Sequence, residues 1–203
     1  MPSKMHASAA RRALHVPSAS AAARASDMPR ADVSVRRARL TPVTDDWKSD
    51  RIASARAGTN PTVLARMPLS YAVIGDTQFL PGYCVLLVDD PQINRLTDLP
   101  KQQRLEFLDS MDTLGQAVEQ ACRATQSGFR RMNYEILGNT DAYLHAHLFP
   151  RYEWEPPNRI GHPVWLYDAE EFYADDVALA SRHDELRERI VAELRSLADV
   201  VTV

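Results

Sequence analysis

From Trp47 onward the chain alternates short apolar runs with polar turns, and the period of each run predicts its element. Asp50 to Ala57 reads as a short helix stopped by Gly58-Thr59-Asn60-Pro61. Val63 to Met67 and Tyr71 to Ile74 are strands of a β-hairpin across Pro68-Leu69-Ser70. Gly75-Asp76-Thr77-Gln78 is a polar turn. Phe79 to Tyr83 then leads into Cys84 to Val88, a continuous apolar run of the kind buried on both faces, which stops at Asp89-Asp90-Pro91.

The strongest helical pattern follows Thr97-Asp98-Leu99-Pro100, with Pro100 suited to a first helical position. Leu105, Leu108, Met111, Leu114, Val118 and Ala121 recur at spacings of three and four through about Thr125, giving an amphipathic face to lie on a sheet. Ser127-Gly128 ends the helix. Phe129 to Leu137 reads as a strand, and a turn at Gly138 returns the chain. Beyond Pro156-Pro157, Trp165-Leu166-Tyr167 is a short apolar anchor, and Asp184 to Ala198 is a second amphipathic helix carrying Leu186, Ile190, Leu194 and Leu197. Strands, a helix, two strands and then helices predict an α+β fold with a mainly antiparallel sheet of about five strands.

Chemistry concentrates between Asn133 and Arg151. In a strand the side-chain period is two, so Tyr143, His145, His147 and Phe149 share one face while Leu144, Ala146 and Leu148 point the other way. Gly138-Asn139-Thr140 offers small polar donors upstream, and Arg151 adds a permanent cation. Imidazole, amide, hydroxyl and guanidinium together suit an anionic ligand, most simply a phosphate. Two other readings stand beside this one. The histidines could be structural, or the His-x-His pair could bind a metal. A closed zinc site would need two more ligands, and Cys84 and Cys122 are single and far apart.

Composition narrows the class. The 203 residues, 45% of them hydrophobic, suit one domain with an appendage, and no apolar run reaches the roughly 18 to 20 residues of a membrane helix. Two cysteines make no disulfide framework, so a soluble cytoplasmic protein is expected. The net charge of −3 hides an asymmetry: residues 1–40 carry Lys4 and seven arginines against Asp27 and Asp32. Three readings fit that stretch: a disordered basic tail over residues 1–45, which is preferred, an organellar transit peptide, or an upstream extension that the cell does not use. No aromatic residue is interleaved with the cations, so no specific nucleic-acid site is expected there. A glycine-rich Walker loop and a dinucleotide fingerprint are both absent, which argues against a P-loop NTPase or a Rossmann oxidoreductase.

The ordered set Gly138, Asn139, Thr140, His145, His147 and Pro150-Arg151 resembles the signature of the histidine-triad (HIT) family of nucleotidyl hydrolases and transferases. Pro81-Gly82-Tyr83 before an apolar strand, the following helix and the Asn133 strand lie in the family's order too, so the resemblance runs from about Tyr71 to Arg151. The catalytic domain is expected over residues 46–157, and residues 158–203, which lie outside the resemblance, are expected as a C-terminal helical extension packed on it. One position departs from the pattern, because the family's first histidine falls on Tyr143. The family uses that histidine in support, and a phenol can hydrogen-bond there but cannot become a cation near neutral pH.

By that resemblance His145 is the nucleophile toward the α-phosphorus of a nucleotide, forming a covalent nucleotidyl-histidine intermediate that water resolves to a nucleoside monophosphate. Asn139, Thr140 and His147 are the donors to phosphate oxygens, with Tyr143 beside them, and Asn133 is a further phosphate contact. Asp76 is the candidate for the ribose hydroxyls, unless it is only a solvated turn residue. Arg151 is either a phosphate ligand or the partner of a carboxylate. Phe79 or Tyr71 flanks the base or belongs to the core, and His162 and His183 are surface or loop residues. The implied substrates are nucleotidyl phosphoanhydrides, phosphoesters or phosphoramidates, a dinucleoside polyphosphate such as diadenosine tetraphosphate among them. No resident metal or cofactor is implied, only Mg2+ that the substrate could carry, and relatives suggest a homodimer. A nucleotide-binding regulatory module with little turnover, or a His-x-His metal module, is the alternative.

Overall fold

The computed structural model describes residues 45–202, so the expectation for the basic tail lies almost wholly outside the described residues. Helix α1, Arg51–Arg56, starts where the Asp50 carboxylate accepts from the Ala53 amide, a standard N-terminal cap. Strands β1, Val63–Met67, and β2, Ser70–Ile74, form the expected hairpin, with Pro68 and Leu69 as its two loop residues. Leu69 adopts a φ of 57° there. Strand β3, Cys84–Val88, pairs with β2, and helix α2, Lys101–Thr125, follows. Pro100 has a ψ of 153° and sits just before the first helical turn rather than in it.

Strands β4, Phe129–Glu135, and β5, His145–Tyr152, pair antiparallel, and β5 also pairs with β3. The short helix α3, Ala169–Phe172, the helix α4, Asp184–Leu197, and the two-residue strand β6, Val201–Thr202, complete the chain. The sheet order is β4-β5-β3-β2-β1-β6, antiparallel throughout. Five strands form its body and β6 adds a short sixth at one edge, a strand that two residues give no periodicity to announce. The architecture is α+β, as expected. Among the described residues no helix is long and apolar enough to cross a membrane.

The two faces of the sheet have different occupants. Ala72, Ile74, Cys84, Leu86, Ala146 and Leu148 pack with Phe107, Leu114, Val118 and Cys122 of α2 and with Leu186, Ile190 and Leu194 of α4. Full burial of each large side chain there contributes roughly 1.5–3 kcal/mol. Three sequence expectations shift at this interface and beyond it. Leu105 is 52% exposed and Leu197 39%, both outside the packed stripe, and Phe107 takes the inward position. His183 is buried, its Nδ1 accepting from the Ala180 amide, instead of lying on the surface. Of the anchor expected at Trp165-Leu166-Tyr167, Tyr167 is half-buried against Phe79 and Glu155, while Trp165 and Leu166 are exposed and the neighbouring Val164 is the wholly buried residue. The opposite face of the sheet carries Val73, Tyr83, Val85, Leu87, His145, His147 and Phe149, and it is there that a cavity opens.

Candidate active site

A cavity of about 430 Å³ lies over β3 and β5. The period-two alternation of β5 sends His145 and His147 into it and turns Ala146 and Leu148 toward α2. Pairing of Val85 with His147 and of Leu87 with His145 fixes the register, which a slip of one residue would invert. The rings meet edge to face, with centroids 4.8 Å apart.

Each imidazole is oriented by a different partner. His145 Nδ1 lies 2.8 Å from the backbone carbonyl of Tyr143. A carbonyl only accepts, so Nδ1 carries the proton and the lone pair is on Nε2. His147 Nδ1 lies 2.7 Å from the Tyr83 hydroxyl. Burial, then the nearby Asp76 charge, holds that phenol protonated well above its ordinary range. With the phenol donating to Nδ1, the His147 proton sits on Nε2. Burial first, and then the adjacent His145, pushes the His147 pKa down to about 4, so this ring is neutral near pH 7. The pair therefore presents one nucleophilic nitrogen and one neutral N–H donor.

Gly138, Asn139, Thr140 and Asp141 line the cavity ahead of β5, where Gly138 turns the chain at a φ of 63°. Tyr143 precedes β5 rather than belonging to it, yet it also faces the cavity. Its phenol is pushed up to about 12 by burial and by Asp141, so it stays a neutral hydrogen-bonding group. Asp76 lines the cavity too, paired at 2.9 Å with Arg51 of α1.

Two expected ligands are elsewhere. Asn133 pairs with Phe149 across β4 and β5, and Arg151 lies farther along the same strand; neither lines the cavity. Arg151 is buried against Glu155, with nitrogen to oxygen distances down to 2.7 Å, and it donates to the carbonyls of Arg159, Ile160 and His162. Asn133 Oδ1 accepts from the same guanidinium. Burial alone would raise the Glu155 carboxyl, but hydrogen bonds from Arg151 and Tyr167 outweigh it and hold the group below the usual range. Of the two readings of Arg151, the carboxylate pair is the one realised. The segment it fastens, residues 159–167, separates Asn133 from the histidines, because Trp165 packs edge to face on both His147 and Phe149.

Several cavity residues carried no functional signal in the sequence. Tyr83 read only as part of Pro-Gly-Tyr, Arg51 as one residue of a short helix, Trp165 as an anchor, and Phe172 and Tyr173 as nothing. Phe79 packs on Tyr167 and Phe172, and Tyr71 is buried beneath Arg66, so both belong to the core and not to the cavity. Gly75 admits Tyr83, since a Cβ there would run into the phenol ring. Among the described residues no three His, Cys, Asp or Glu side chains converge as metal ligands, so His145 and His147 lack a third donor of that kind.

Residues 58–154 match the family model described as HIT domain. No curated protein matches the chain. Among solved structures, a histidine triad protein from Marinobacter aquaeolei VT8 is 20% identical with a TM-score of 0.53, the match covering 71% of this chain and 96% of that one. One from Bradyrhizobium japonicum is 20% identical with a TM-score of 0.51, covering 70% and 94%. A hypothetical histidine triad nucleotide-binding protein from Sulfolobus tokodaii strain 7 is 9% identical with a TM-score of 0.53, covering 72% and 91%.

Proposed function

We propose, from the match of residues 58–154 to the HIT domain model, that the chain is a nucleotidyl hydrolase using His145 as nucleophile. The observation that carries this reading is the hydrogen bond from His145 Nδ1 to the Tyr143 carbonyl, which leaves an Nε2 lone pair facing the cavity. That lone pair attacks the α-phosphorus. The bond from phosphorus to the leaving atom breaks, and its electron pair departs with that atom. Positive charge arising on the phosphorylated imidazole is spread over the ring, where Nδ1–H donates to the carbonyl and stabilises it.

A departing polyphosphate is stable as an anion, so a hydrogen bond from neutral His147 Nε2–H suffices to assist it. Asn139 and Thr140 donate to the non-bridging oxygens, and the Tyr143 hydroxyl adds a neutral donor beside them. Water then attacks phosphorus, the N–P bond breaks with its electrons returning to Nε2, and a proton passes to solvent as the nucleoside monophosphate leaves. Asp76 accepts from the ribose hydroxyls while Arg51 holds it in place. Any Mg2+ arrives on the substrate. Dinucleoside polyphosphates such as diadenosine tetraphosphate are the substrate class in this reading, and the cytoplasm is its compartment. Assembly is as a homodimer, for which the half-exposed Tyr134 on the outer strand β4, lying over Gly115 of α2, offers surface.

Intact-protein mass spectrometry after brief incubation with diadenosine tetraphosphate, quenched at alkaline pH because phosphoramidates are acid-labile, tests this reading. An adenylyl adduct on the wild type that is missing from His145→Ala, with turnover reduced at least about a thousandfold, is the expected result. Binding without adduct or monophosphate in either protein would instead favour a regulatory nucleotide-binding module, and Tyr143→His would be the next variant.

A further inference from the structure

The HIT match ends at residue 154, yet Trp165, Phe172 and Tyr173 line the same cavity as the histidines. Phe172 is buried in the core beneath the other two, whereas Trp165 and Tyr173 are not packed away. Trp165 is 40% exposed and Tyr173 71%. The Trp165 ring stands 4.8 Å from the His147 ring and 5.7 Å from Phe172, nearly parallel to the latter. Its one polar atom, Nε1–H, donates to Glu135 of β4, so what it turns to the cavity is apolar π surface.

The segment bearing this surface is tied down at both ends. Arg151 fastens residues 159–162 through three backbone carbonyls, and the Tyr167 hydroxyl donates to Glu155 at 2.6 Å. Farther on, Thr77 Oγ1 donates to the Phe172 carbonyl, the Gln78 amide to Val177, and the Leu179 amide to the Asp76 carbonyl. A rigid, partly exposed aromatic wall beside the donor that faces the leaving group suits a flat aromatic partner, because ordering has already been met by the fold.

We propose that Trp165, with Tyr173, forms a stacking platform for an aromatic leaving group, specifically the second nucleobase of a dinucleoside polyphosphate. This rests on the reading of the cavity as a nucleotidyl-transfer site. It makes the region outside the HIT match the determinant of selectivity for substrates that carry a base on both sides of the scissile bond. Base-on-aromatic stacking tolerates any base, so the selectivity is for the presence of a base and not for its identity.

Two compounds with the same transferable adenylyl group separate the possibilities: diadenosine tetraphosphate, which leaves as ATP, and adenosine 5′-tetraphosphate, which leaves as triphosphate. The wild type should prefer the first in kcat/KM. Trp165→Ala should lose about tenfold on the first and far less on the second, and Trp165→Phe should keep most of the preference. Tyr173→Ala, an exposed position with little bearing on folding, should shift the preference the same way by a smaller factor. Equal losses on both compounds, or no loss on either, overturn the platform. Should the wild type cleave neither, the hydrolase reading fails, while calorimetric Kd values for the same two compounds still decide this one. A tighter Kd for the dinucleotide that Trp165→Ala erases supports it, and equal Kd values for the two compounds overturn it.

Discussion

His145 and His147 stand two residues apart on one strand, yet they are held in opposite ways. The partner of His145 is the backbone carbonyl of Tyr143, two residues upstream in the same stretch of chain. The partner of His147 is the side chain of Tyr83, 64 residues away, which reaches it only because β3 and β5 pair in register and Gly75 leaves room for the phenol. The cavity thus has a locally built half, from Gly138 to His145, and an assembled half made of Tyr83, His147, Trp165 and Phe172. A carbonyl anchor survives side-chain substitution, whereas the assembled half depends on distant contacts. Damage from mutation should therefore fall unequally on the two.

The largest effect is expected at the staple behind the assembled half. Arg151→Ala leaves Glu155 buried without its cation and should cost about 3–5 kcal/mol in urea unfolding. A loss under about 1 kcal/mol would mean that the wall stands without Arg151, and the contrast between the halves would weaken accordingly.

Next comes acid. The folded-state pKa of His147 is about 4 against an ordinary 6.5, so between those values the unfolded chain binds the extra proton. Stability from this group is fully present above about pH 6.5 and is lost as pH falls toward 4, by roughly 3 kcal/mol. Denaturation at a series of pH values for wild type and His147→Gln isolates that contribution, and identical slopes for the two proteins would show that His147 titrates normally.

The smallest effect tests the anchor itself. Tyr83→Phe keeps the ring stacked on Phe149 but removes the hydroxyl from His147 Nδ1, and kcat should fall about tenfold with KM little changed. An unchanged kcat would show that His147 needs no distant partner.

Legibility in the sequence followed the same division. The alternation through Tyr143-Leu144-His145-Ala146-His147-Leu148 predicts which side chains face the cavity, and β5 presents His145 and His147 as expected. On α2 a run of leucines misleads. Three successive spacings of three carry Leu105 nine residues from Leu114, which at about 100° per residue puts it on the opposite side of the helix. Arg151 and Asn133 continue the histidine face of the sheet in sequence terms, but residues 159–167 fold back over that part of the strand and take it out of the cavity. No local pattern announces such a return, because the loop between Pro156 and Asp168 has no period of its own.

What the sequence determined by itself is everything with a short repeat: strands β1 to β5, helices α1, α2 and α4, the face of β5 that holds the histidines, and the glycine-led turn before it. Period and turn chemistry are properties of neighbouring residues, and they can be read without knowing the fold. Tertiary structure alone decided which partner holds His147, that Arg51 answers Asp76, that Arg151 serves as a staple, and that aromatics from beyond residue 154 wall the cavity. Most of those are meetings of residues far apart in the chain, and even the Arg151–Glu155 pair, four residues apart, becomes a staple only because residues 159–162 fold back onto it; register and burial fix them, not spacing.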